Sequence, residues 1–347
     1  MTGRWRRGAV LATALTLAVA AAGSAPPTPR RGDAAARLSA ASAASEYWDL
    51  TARFETGQTL FVRFLITNQG PGAHTAIAQG YLVLAGGRVV SFKNGREAGK
   101  WTLSGDRLSI DIGSSELDLR APVRRFAVDN DKRGVKIHLS LPVQGPPLWS
   151  EARDGPDDRL DLLQVAGEAS GTIWLQGMAA VESVRGRAAL THTWLNRSHA
   201  ELARRQIEFF GFDEQGGVYF SDVLPVAGAS RRWTVVTRGA AVEQQSGGEL
   251  EIGPPLGGAR DYPLPSALTI RAGALAARID VRRELVRVDP FEVIPQPFRF
   301  LLSMRSKPMR IWASATWTPL AADGSPAPPA IDGVLAVSYA DPLPDQR

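Results

Sequence analysis

From Glu46 onward, apolar and polar residues alternate with period two over most of the chain. Residues 59–68 (TLFVRFLITN) form a β-rich run around Phe61, Val62 and Ile66. In KWTLSGDRLSIDIG the apolar positions Leu108, Ile110 and Ile112 follow a turn at Gly105-Asp106. Gly86-Gly87 and the stretch Asp129 to Gly134 interrupt two further runs, and each reads as a hairpin. The second half repeats the style in GTIWLQGMAAVESVRG, IEFFGFDEQGGVYFSDV and PFRFLLSMRSKPMRIWASATWTPL. No apolar stripe of helical period persists over a dozen residues. The best helix candidate is SHAELARRQ, with Ser198 as cap and Glu201 three positions on. Short strands joined by glycine turns predict an all-β protein, a sandwich or closed barrels. Two barrels of six to ten strands would remove free edges, and barrels of that size can enclose one apolar ligand.

The pattern starts late. Arg4, Arg6 and Arg7 precede an uncharged apolar run from Ala9 to Ala22, so residues 1–22 read as a signal peptide with a small-residue cleavage site. Residues 23–45 are small, polar and proline-bearing, and read as a disordered lead-in. Pro146 to Asp161 is turn-rich and charged, a natural linker. It divides an N-terminal barrel at 46–165 from a C-terminal barrel at 166–347. A faint echo supports two related units: SGDRLSIDIG resembles SGGELEIG, and SELDLRA resembles SALTIRA.

Composition narrows the function classes. The chain has no cysteine, which excludes thiol nucleophiles, lipoprotein anchoring and cysteine-ligated metals. An exported chain without disulfides depends on its core, which roughly 320 residues can supply. Lysine is rare among the 40 basic residues. With abundant Ala, Gly and Pro this points to a GC-rich bacterial source and a periplasmic or secreted product. The formal charge of +5 falls to +2 without the three leader arginines, and the rest are interspersed with acids. Nucleic-acid binding is not expected. No second long apolar run predicts a membrane span after cleavage. Four scattered histidines without HExxH spacing argue against a metal site, and no P-loop or G-x-G-x-x-G points to a cofactor.

The chemistry gathers between Thr191 and Asp222. His192 and Trp194 lie two apart, on one face if the segment is a strand. Tyr219, Ser221 and Asp222 follow a Gly-Gly turn. Catalytic candidates are His192, Tyr219 and Asp222. Trp194, Phe210, Glu182, Glu208 and Trp48 are candidates for lining a ligand pocket.

Residues 46–68 (EYWDLTARFETGQTLFVRFLITN) resemble the opening of the lipocalin-like (calycin) proteins related to carotenoid 1,2-hydratase, AttH and Svf1. The resemblance rests on Glu46, Tyr47, Trp48, Gly57, Phe61, Phe64, Ile66 and Asn68, and on the His192-x-Trp194 pair. It implies two lipocalin-like antiparallel β-barrels packed as one unit, with a hydrophobic ligand. In the hydratase branch it also implies that His-x-Trp and a downstream Tyr-x-Asp form the site. Here Ser221 stands two after Tyr219 and Asp222 comes one later. On a strand that shift turns the carboxylate to the other face unless a bulge restores it. Thr191 and Leu195 also depart from the pattern.

Three functions fit these residues. The first is an exported binder or carrier of a lipid, isoprenoid or carotenoid-like molecule, working with an envelope or transport-system partner. The second is a hydratase or cyclase that protonates a C=C bond. It would use Asp222 as an acid kept neutral by an apolar pocket, His192 to handle water, and aromatic faces to hold a carbocation. The third is a structural envelope protein with filled barrels.

Overall fold

The computed structural model describes residues 34–342, apart from 70–72, 145–149, 153–157, 240, 258–260, 294–297, 305 and 328. The signal peptide expected at 1–22 and the first part of the lead-in lie outside the described residues. Among the described residues no helix is long and apolar enough to cross a membrane.

The alternating pattern folds as predicted, into two curled antiparallel sheets. The first holds β1 (Ser45–Phe54), β2 (Thr59–Thr67), β3 (Thr75–Val83), β4 (Val89–Arg96), β5 (Thr102–Leu103) and β6 (Ser109–Asp111). It continues with β7 (Ser115–Asp118), β8 (Val123–Asn130), β9 (Val135–Pro142), β10 (Ser150–Ala152), β11 (Arg159–Leu175) and β12 (Glu182–Leu195). Its order is β4-β3-β2-β1-β12-β11-β9-β8-β7-β6-β5, with β10 beside β11. The second sheet holds β13 (Ala203–Asp213), β14 (Gly216–Pro225), β15 (Arg231–Arg238), β16 (Ala241–Ser246) and β17 (Glu249–Ile252). It is completed by β18 (Ala267–Ala272), β19 (Leu275–Val288), β20 (Met309–Pro319) and β21 (Ile331–Tyr339), in the order β16-β15-β14-β13-β21-β20-β19-β18-β17. In each sheet the first strand pairs with the last, β1 with β12 and β13 with β21. The echoed sequences occupy matching places, β6–β7 and β17–β18, near one end of each sheet.

Side chains help to curl the first sheet shut. Asn94 on β4 donates to the Ile112 carbonyl after β6, and Asn130 on β8 donates to the Lys93 carbonyl. The interior is filled by Trp48, Leu50, Leu60, Phe64, Phe126 and their neighbours, all buried. Ile207, Phe209, Phe220, Trp317 and Leu335 do the same in the second sheet. The outer face of β1–β3 meets β19–β21 through Phe61, Val83, Trp312 and Val334. Leu160, Leu162 and Ala189 meet Phe210, Tyr219 and Trp233 in the same seam. The backbones approach closely at Gly217, where a Cβ would lie 2.4 Å from that of Ala166.

Two expectations need correction. The sheets change over between Leu195 and Ala203, not at residue 165, because β11 and β12 close the first sheet by pairing β12 with β1. The residues from Asp158 to Asp161 accordingly lie at and in the start of β11, not in a linker. The lead-in is also not wholly disordered. Its described part packs on the first barrel, where Ala36 and Ala44 are buried. The predicted helix is a single turn, His199–Leu202, with the expected capping box between Ser198 and Glu201. β-rich residues from Ala203 onward end it.

Candidate functional site

Strand alternation sends successive residues of β1 to opposite sides. Glu46, Trp48 and Leu50 face the interior of the first barrel, while Tyr47, Asp49 and Thr51 face the seam between the sheets. β12 runs alongside in register, with Trp48 opposite His192 and Glu46 opposite Trp194. Two separate clusters result.

The first sits inside one mouth of the first barrel. His192 is fully buried, and its Nε2 lies 2.8 Å from Oε1 of Glu46. Its ring stacks on Trp48, with centroids 4.5 Å apart and planes 9° from parallel, and leans on Trp194 at 4.9 Å. The Glu46 carboxylate also accepts the backbone N–H groups of Arg37 and Leu38 at 2.8–3.0 Å. Oriented in this way, His192 is held from three sides.

The second cluster lies in the seam. Asp49 accepts from Arg63 Nε at 2.6 Å and Nη2 at 2.5 Å, a bidentate pair within one hairpin. Arg310, from β20 of the other sheet, donates to the same carboxylate at 3.2–3.3 Å. Arg310 also lies 3.9 Å from Glu208, and Glu208 accepts from the Tyr219 hydroxyl at 3.0 Å. Burial on its own raises the Asp49 carboxyl; Arg63 and Arg310 outweigh it and hold the group below the usual carboxylate range. Burial also pushes the Tyr81 phenol up. Asp49, Arg63, Arg310 and Tyr81 line a cleft walled by Phe61 and Trp312. Its volume is about 40 Å³, enough for a few waters.

The sequence candidates divide among three compartments. His192, Trp194 and Trp48 come together in the first mouth. Tyr219, Glu208 and Phe210 come together in the seam, with Phe210 and Tyr219 rings 5.3 Å apart. Asp222 joins neither. Val218 and Phe220 face the second barrel's interior, and Asp222 continues that face. It is fully buried there, bonded by Arg232 at 2.9 Å and Arg205 at 3.3 Å. No bulge at Gly216-Gly217 turns it back: β13 and β14 stay in register from Arg205 to Asp213. Glu182 lies ten residues from His192 along β12, about 30 Å away by strand rise, and accepts from Gln58 at 2.9 Å.

Sequence reasoning gave no role to Glu46, Asp49, Arg63 or Arg310. A signal was present: Asp49 and Arg63 each interrupt an apolar strand, and such charges need a partner. The partner Arg310 is 261 residues from Asp49, beyond the reach of any local pattern.

No protein-family model matches the chain, and no curated protein does. Solved structures do. An AttH-type protein of Nitrosomonas europaea superposes with a TM-score of 0.64 at 15% identity, over 85% of this chain and 92% of that one. The chain has the double lipocalin-like fold. CghA, solved with Sch210972, gives a TM-score of 0.61 at 12% identity, over 86% of this chain and 89% of that one. Kievitone hydratase from Nectria haematococca gives 0.54 at 10% identity, with the same two coverages.

Proposed function

We propose that the chain is an enzyme of the hydratase or cyclase type. It acts on a small, mainly hydrophobic molecule held in the cleft between the barrels. The observation that carries this reading is the charged chain Arg63–Asp49–Arg310–Glu208–Tyr219, buried against aromatic walls at a cleft open to solvent. A carrier needs apolar volume, and the interior of the first barrel is occupied by its own side chains. Fixed donors at an apolar wall are what polarisation of a reacting group requires. Kievitone hydratase, among the structural neighbours, favours an enzyme over a carrier.

The residues favour one kind of activation. With Asp49 held ionised, the cleft offers no neutral carboxylic acid to protonate an isolated C=C bond. It offers the guanidinium of Arg310 and the phenol of Tyr81, both donors. These would polarise a carbonyl conjugated to the double bond and hold the developing enolate oxygen. Water, or an internal nucleophile, then adds at the distal carbon, and a proton goes to the carbon next to the carbonyl. Asp49 accepts a hydrogen bond from the incoming water and keeps both arginines aimed. Phe61 and Trp312, stacked with centroids 4.9 Å apart, hold the hydrocarbon. In this reading the leader at residues 1–22 delivers the enzyme outside the cytoplasm.

The test uses full-length protein with citral, an isoprenoid whose carbonyl is conjugated to a C=C bond. Mass spectrometry should find a product heavier by one water, or a cyclised isomer of unchanged mass. Arg310→Met should abolish either product. Binding of citral without any turnover, by wild type and variant alike, would return the protein to the carriers.

A further inference from the structure

The mouth of the first barrel is occupied by the chain's own N-terminal segment. Residues 34–38 are not a strand of either sheet, yet they are seated by their main chain. The Trp48 indole donates to the Ala34 carbonyl at 3.1 Å. Ala36 N–H donates to the Arg107 carbonyl at 2.9 Å. Arg37 and Leu38 N–H donate to Glu46, the residue that also holds His192. The methyl of Ala36 is 2% exposed within the barrel core, and Ala34 and Leu38 pack half-buried against it. The Arg37 guanidinium lies over Trp194, 3.9 Å from the ring centroid.

This is how a protein holds a peptide ligand, not how it extends a sheet. The contacts read main-chain donors and acceptors, two small residues, a half-buried leucine and one cation. The seat is also where backbone strain collects. Among the described residues the non-glycine residues with positive φ are Leu38, His74 and Arg107. Leu38 is the last residue of the segment, and Arg107 supplies the carbonyl for Ala36. His74 Nε2 lies 3.1 Å from the carbonyl of Ser39, the next residue. Strain of this kind persists where the surroundings impose it, and it gathers at sites that bind or switch.

We propose that this mouth is a peptide-binding site for a small-residue–arginine sequence, and that Ala34–Leu38 is its exchangeable occupant in cis. Glu46 and Trp194 are the reading residues, and His192 positions Glu46. The segment stays seated because its tether gives it a high local concentration, not because it buries much surface. The same mouth can then take an equivalent peptide from another chain when its own segment is out. The proposal is independent of the chemistry assigned to the cleft, which lies on the other face of β1.

Two measurements test it on the full chain. In Ala36→Asp, a carboxylate replaces the buried methyl beside Glu46, so the segment cannot seat. This variant should bind a synthetic peptide of residues 33–40, detected by tryptophan fluorescence, while the unmodified chain should not. Replacing the arginine of the peptide by alanine should weaken binding at least tenfold, and Glu46→Gln in the protein should do the same. A folded Ala36→Asp variant that ignores the peptide would overturn the proposal. The second measurement is hydrogen exchange on the unmodified chain, which covers the case in which the variant does not fold. Amides of residues 36–38 should exchange at least a hundredfold faster than those of Trp48 and His192. Equal rates would make the segment a permanent part of the fold, and the proposal would fail.

Discussion

The barrel mouth and the inter-barrel cleft share a wall, and β1 supplies a carboxylate to each. Glu46 and Asp49 are three residues apart and point to opposite sides of one strand. Glu46 meets a histidine and two backbone N–H groups. Asp49 meets two guanidinium groups from different sheets. The difference teaches what each is suited to do. A carboxylate that reads N–H groups recognises a main chain. A carboxylate locked between arginines organises cations around a substrate and ties the two barrels together.

Removing Asp49 should therefore cost the most. Asp49→Ala leaves Arg63 and Arg310 buried without their shared anion, for an expected loss of about 3–5 kcal/mol, measurable by urea unfolding. The pH dependence follows from the same pair. Its folded carboxyl lies below the unfolded value of about 3.9, so its contribution is complete above about pH 4 and is lost as pH falls through the folded value. Asp49→Asn should flatten that acid-side slope. A variant with an unchanged slope would remove Asp49 from the centre of the comparison.

The mouth should yield a smaller loss. His192→Phe keeps a ring between Trp48 and Trp194 but removes the bond to Glu46, for about 1–3 kcal/mol. It should also raise exchange at residues 36–38 while leaving turnover in the cleft intact. Loss of turnover would mean that the two sites are coupled through β1. The smallest effect is expected for Tyr219→Phe, about 1–2 kcal/mol, since it removes one hydroxyl donor and keeps the packing on Phe210 and Trp233. If it cost as much as Asp49→Ala, the hydroxyl would be the keystone of the seam and not its far end.

Much of this architecture is legible in the sequence, because period-two alternation and glycine turns are local. Leu108, Ile110 and Ile112 announce their strand without help from elsewhere. The grouping of strands into sheets is less legible. Nothing in residues 182–195 says that they close the first sheet against residues 45–54, and the division at 165 failed for that reason. The site was half legible. His192, Trp194 and Trp48 assemble because β1 and β12 are neighbours in register. Asp222 was placed by its distance from Tyr219 along the chain, and the strand's two-fold period sends it to another compartment. Arg310 was out of reach because only the packing of sheet on sheet brings it to Asp49.

One feature of the topology bears on how such a chain arises. Ser45 is paired with Leu195, and Arg205 with Tyr339, so each sheet begins and ends at nearly the same place. A stretch of gene encoding one such unit can be copied head to tail without rewiring any strand. Seven residues, 196–202, suffice to step from the close of one unit to the start of the next. The face where the two units meet belongs to neither sheet alone, and it is there that Arg310 finds Asp49.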